Sequence, residues 1–242
     1  METKKSRKEF LVLGGIAGIC VGIFVLTFAV IATKLKIGFV PAVYRGESIE
    51  YWIQNVVNNP TTSMLVVASL TVGFGAMLVG GFSFFKLING NYWQKYLGLS
   101  GYIIGVPAAV YNFIERLSLQ YQIIVLSKNK PDILDQIELH SRISLQEWQF
   151  TGEYVGPFFV VFMGTTFMAW AAKRDNLLPN WLCYWAFTCG ALTILHLFKL
   201  KVSAFEIAAL GAGPLHMLWF FVTGIVLLRK MKSLSGQDHT SS

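Results

Sequence analysis

Seven polar side chains interrupt runs of sequence that are otherwise apolar. Asn112, Glu115 and Arg116 come late in one run and Glu153 early in the next, His196 ends another, and Glu206 and His216 lie in the last. An ionisable group at membrane depth is costly, so it turns toward a partner, a ligand or a wet cavity rather than lipid. Carboxylates with imidazoles can bind a polar headgroup, pass protons or hold a metal. His140, His196, His216 and a carboxylate are suitable ligand types for zinc. Yet no HxxxH, HExxH or ExxH pair fixes two of them on one helical turn, so no metal is expected and no cofactor is indicated. Nucleophilic catalysis has no anchor either: there is no G-x-S-x-G. Cys20, Cys183 and Cys189 form no CxxC pair and read as small apolar fillers.

Each polar residue also has a plainer reading. Glu115 and Arg116 are adjacent, so on a helix they diverge by about 100°, and either can snorkel to the interface or pair with another helix. Glu153 precedes Gly156 and Pro157, where a helix start is wet. Glu206 suits the N-terminal dipole of a first turn. His196 and His216 also read as hydrogen-bonded interior imidazoles. Trp148, Trp170 and Trp181 fall at boundaries, as belt residues do, whereas Tyr184, Trp185 and Trp219 lie deeper and read as packing.

The elements that carry these residues are membrane helices. Hydrophobic types make up 54% of the 242 residues and charged types only 14%, against about 25% charged in a soluble domain. Mean hydropathy is +0.54. A spanning helix needs about 20 mostly apolar residues. Six stretches qualify: 10–33, 62–85, 96–114 (with helical continuation to 126), 148–172, 181–198 and 205–228. The expectation is an all-α, polytopic bundle of six spanning helices forming one domain, 1–232, with a disordered polar tail at 233–242.

Charge then orients the chain. The N-terminal tail, 86–95, 173–180 and the tail from Arg229 together hold 11 Lys/Arg and 4 Asp/Glu, while the other side holds 9 of each. Short loops rich in Lys and Arg stay cytoplasmic, which places both termini inside. The formal charge of +7 is thus a topology signal and excludes nucleic acid as a partner. Both long loops fall outside. Residues 47–58 have helical apolar spacing, expected as a helix lying in the interface, and 128–147 carry a second amphipathic helix.

Small residues show how the helices pack, since membrane helices associate where backbones can approach. Gly14, Gly18 and Gly22 form a ridge on the first helix. Ser69, Gly73, Ala76, Gly80 and Ser83 form one on the second. On the third, Gly98, Gly101, Gly105, Ala108, Asn112 and Glu115 are expected on a single face that ends in polar groups.

The chain resembles a bacterial inner-membrane family known only as a domain of unknown function. The resemblance rests on Gly14, Gly15, Gly18 and Gly22, the Glu115–Arg116 pair, the glycines of the fourth span, Leu178-Pro179-Asn180-Trp181, Trp219, Gly224 and the exit Leu227–Lys230. The family has Arg before the acid, the reverse of the order here. The resemblance implies six helices in a bacterial cytoplasmic membrane and brings no activity.

The function expected is non-enzymatic. Asn112, Glu115, Arg116, Glu153, His196 and His216 would converge on an outward-facing polar chamber that binds a lipid, a small amphiphile or a partner helix. The first alternative is an intramembrane metal-assisted hydrolase using His196, His216 and a carboxylate. The second is a small-solute or proton-coupled transporter, against which stands the lack of any inverted repeat.

Overall fold

A computed structural model describes residues 4–26, 30–31, 34, 49–129, 138, 140–141, 143–144, 151–198 and 206–236; at 4, 26, 128–129, 153, 206–211 and 235–236 it describes backbone alone. Among these residues the chain is helical with no strand. Helix α1 is Lys4–Val21, continued by a π-helical turn π1, Gly22–Leu26. Then come α2, Ile49–Asn58, α3, Pro60–Leu87, and α4, Trp93–Asn129. The next helical run passes from π2, Thr151–Val155, through π3, Phe158–Thr166, into α5, Phe167–Arg174. Helices α6, Asn180–Leu197, and α7, Glu206–Gly236, complete the order.

Four of these helices are long and apolar enough to cross a bilayer: Lys5–Val25, Pro60–Leu87, Trp93–Ser127 and Ala212–Leu234. That is the composition of an integral membrane protein. The run expected at 96–114 is one unbroken helix to Asn129, with Pro107 inside it beside the exposed Ile103 and Ile104. The first residues of the stretch expected as a polar tail, 233–236, are helical. Helix α7 continues to Gly236, and Ser233 Oγ bonds Lys230 O at 2.8 Å, while 237–242 lie outside the described residues. A helix expected at 47–58 is present as α2, Ile49–Asn58; most of the second amphipathic stretch, 128–147, is outside the described residues.

The helices close into a ring. α1 packs on α3 and α7, α3 on α4, α4 on π3, π3 on α6, and α6 on α7. Glycine sets the closest of these approaches. A methyl at Gly18 would lie 2.5 Å from Phe220 O and 2.8 Å from Gly224 Cα. One at Gly101 would meet Gly164 N and Phe159 O at 2.5 Å. The α1 ridge therefore faces α7, and the α4 ridge faces π3. Aromatic side chains fill the ring's centre: Phe84 stacks on Trp219 at 6.0 Å, and Tyr102 meets Phe220 edge-on at 6.1 Å.

One end of the ring is locked by short connections. Helix α5 ends with Asn176 in the left-handed region at φ 52°. Asn176 N–H donates to Lys173 O and Leu177 N–H to Ala172 O, the paired bonds of a Schellman motif. This turn presents Asp175 to the α3–α4 connection, where its carboxylate accepts from Asn89 N at 3.0 Å, Gly90 N at 3.2 Å and Asn89 Nδ2 at 3.3 Å. Two successive backbone N–H groups on one carboxylate form an anion nest. Lys173 donates to Tyr184 Oη at 2.8 Å, and Arg174 lies 4.5 Å from the Tyr92 ring.

Candidate functional site

The sequence candidates fall on different levels. At the end opposite the Asp175 clasp, α4 projects past the ring. Its 37 residues span about 55 Å at ~1.5 Å each, well beyond a hydrocarbon core of about 30 Å. Trp93 is exposed at the basic end. Arg116 lies about 34 Å further up the helix.

Arg116 is 3% exposed and Asn112 5%. They are one turn apart on a face that Gln120 continues, also buried. Helix α2 roofs this face: Ile49, Trp52, Ile53 and Val56 pack with Leu119 and Ile123. The Arg116 guanidinium sits 5.3 Å from the Trp52 ring, within cation–π range. Glu115 does not belong to this face. It is exposed, and the expectation that it ends the glycine ridge is corrected. Eighteen residues make five turns at 3.6 per turn, so Arg116 stands directly over Gly98 while Glu115 lies about 100° away.

His196, buried near the end of α6, stacks on Tyr154 of π2 with ring centres 5.8 Å apart. Glu153 lies in the same π-helical turn and Glu206 opens α7, but their side chains are outside the described residues.

His216 is deeper. Its Nε2 is 2.7 Å from Thr165 Oγ1, which is 2.8 Å from Tyr102 Oη and 3.1 Å from Val160 O. All three side chains are buried. A hydroxyl has one proton and two acceptor sites, and a carbonyl can only accept. One assignment satisfies all three contacts: Thr165 donates to Val160 O, while Tyr102 O–H and His216 Nε2–H both donate to Thr165. The bond to Val160, five residues back, follows the π register, and Thr166 Oγ1 repeats it to Val161 O at 3.1 Å. In an α-helix a Thr hydroxyl would reach back three or four residues. The π-helix thus carries Thr165 to the point where α4 and α7 both reach it.

Tyr154 and Thr165 are on one helical run, on the order of 15 Å apart along it. His196 and His216 therefore occupy separate tiers. A shared zinc would need both nitrogens within about 2.1 Å of one point. Among the described residues, no group of three or more His, Cys, Asp or Glu is placed to hold a metal.

Sequence reasoning passed over Tyr102, Thr165 and Trp52 as site residues. Trp52 had a signal, being the large aromatic on the apolar face of an interfacial helix. Tyr102 stands four residues after Gly98 and three before Gly105, so it shares their buried side. Thr165 had none, because nothing in FFVVFMGTT announces a π register. No protein-family model, no curated protein and no solved structure matches the chain.

Proposed function

We propose that this chain is a multi-pass membrane protein that binds a lipid or small amphiphile at the α2–α4 end of the ring. In this reading six helices span, including the run 151–174 and α6 beside the four most apolar, and both termini are cytoplasmic. The basic residues at the clasped end support that orientation. The observation that carries the reading is the α2 roof. An amphipathic helix covers a buried cation and amide, while the opposite end is closed by loop-to-loop bonds. A polar site there is reached from the outer leaflet, with its acyl chain lying along the bundle.

Mapping with a photoactivatable acyl probe in proteoliposomes tests this. Competable labelling of 49–58 and 112–123 is expected. Labelling spread evenly over the exposed flank Ile103, Ile104 and Tyr111, with no competition, would mean bulk lipid contact and end the proposal.

A further inference from the structure

The helical run π3–α5 carries a row of partly exposed aromatic rings. Phe158, Phe162, Phe167 and Trp170 follow one another with ring centres 5.5, 5.8 and 6.1 Å apart. The step of five from Phe162 to Phe167 falls where π3 passes into α5, and the i→i+5 register of a π-helix keeps both rings on one side. In a wholly α-helical run that step would turn the second ring away by about 140°. Trp93, at the start of α4, closes the upper end of the row, 5.6 Å from Phe167 and 5.8 Å from Trp170. Arg174 stands one turn beyond Trp170 on the same side. It is exposed, and its contact with the Tyr92 ring at 4.5 Å is a cation–π one, which leaves the guanidinium no hydrogen-bond acceptor among the described residues. The adjacent acid does not neutralise it, because both Asp175 oxygens are taken by Asn89 and Gly90. Lys173, held by Tyr184 Oη, adds a second positive charge. From Phe158 to Arg174 the row runs on the order of 20 Å, more than half of a hydrocarbon core of about 30 Å.

We infer that this face binds an anionic phospholipid of the leaflet at the clasped end, its phosphate on Arg174 and one acyl chain along Trp170, Phe167, Phe162 and Phe158. The guanidinium presents N–H groups in a fork that matches a phosphate, and the aromatic row below it offers apolar surface for the length of one leaflet's chain. A zwitterionic lipid brings its own cation to a rim that already carries two, so charge selects the anionic class. The face lies at the opposite end of the ring from the α2–α4 site and does not depend on it.

Thermal unfolding of the full chain in dodecyl maltoside, titrated with phosphatidylglycerol or with phosphatidylcholine of identical acyl chains, tests this. Phosphatidylglycerol should stabilise the wild type in a saturable way, at about fivefold lower concentration than phosphatidylcholine, the effect of one basic residue at a headgroup. Arg174→Gln should bring the two lipids close to parity. Lys86→Gln removes an exposed charge at the same end, on α3, and should leave the preference intact. Trp170→Ala should weaken both lipids alike, because the aromatic row serves either chain. An equal loss of preference in Arg174→Gln and Lys86→Gln would mean diffuse surface charge and overturn the site. So would an equal response to the two lipids, or displacement of phosphatidylglycerol by inorganic phosphate at matching concentration, which would leave the aromatic row no part. A second measurement needs no Arg174 variant. Phosphatidylglycerol brominated on its acyl chains should quench tryptophan fluorescence more than its phosphatidylcholine counterpart, and Trp93→Phe with Trp170→Phe should erase the excess. Equal quenching by both lipids in the unmutated chain would refute the inference.

Discussion

Substituting Gly18 by Ala isolates the closest helix crossing. In a helix interior Ala is ordinarily better than Gly by about 0.5–1 kcal/mol. At Gly18, however, the new methyl would stand 2.5 Å from Phe220 O and 2.8 Å from Gly224 Cα, both backbone atoms that no rotamer change can move. Contact between such atoms is comfortable only at about 3.5 Å, so α1 and α7 would have to separate by roughly 1 Å. A gap of that size forfeits a quarter to a half of each dispersion well of ~0.1–0.2 kcal/mol. Over a few tens of atom pairs this comes to about 2 kcal/mol, within the usual range for overpacking. Gly75 supplies the control, since a methyl there meets nothing within 4 Å. Denaturant-induced unfolding in mixed micelles should find Gly18→Ala less stable than wild type by about 1–2 kcal/mol net, and Gly75→Ala unchanged or slightly more stable. If both substitutions shift stability by the same amount and sign, the α1–α7 contact does not lie where the glycines place it.

Thr165→Val should cost about 1–3 kcal/mol, because it strands Tyr102 Oη and His216 Nε2 together. Tyr102→Phe should cost less, because Thr165 keeps its other two contacts; thermal unfolding that reversed this order would contradict the hydroxyl-centred network. Asp175→Ala removes three acceptor contacts from the α3–α4 connection and should raise limited proteolysis at 88–92 several-fold, at a stability cost of about 1 kcal/mol. Cys183 and Cys189 are buried while Cys20 is partly exposed, so a small maleimide should label one thiol per folded chain and three after unfolding. Fast labelling of all three in the folded protein would refute the α6 packing.

Much of the architecture could be read from the residues alone, and for identifiable reasons. Apolar length marks a spanning helix because lipid leaves backbone groups no outside partner. Glycine spacing marks a crossing because only Gly permits the approach found at Gly18 and Gly101. Which helix answers each ridge was not legible, since Gly224 and Gly164 are as generic as the residues they meet. Reading the α4 face in alternating steps of three and four carried it to Glu115, whereas 3.6 residues per turn carries it to Arg116. The π register was hidden for a different reason. It is a property of backbone hydrogen bonding under tertiary packing, and Thr165 gains its role only because α4 and α7 both approach there. His216 could be picked out as a buried imidazole, but its partners could not.

The ring of helices has a further consequence for the chain's connectivity. Because Gly14 lies against Leu227 and Gly22 against Phe221, α1 and α7 run antiparallel, and the two described extremities, Lys4 and Gly236, reach the same side as neighbours. Packing therefore treats the first and last helices as consecutive, though the sequence places them farthest apart. Their order could be rewritten without altering a single crossing. A short linker joining the extremities, with the chain reopened in the 88–92 connection, would make the same bundle with α4 leading and α3 last. That cut would forfeit the Asp175 nest and loosen the bonds of Lys95 to Ile88 O and of Tyr96 to Asn91 at the same connection.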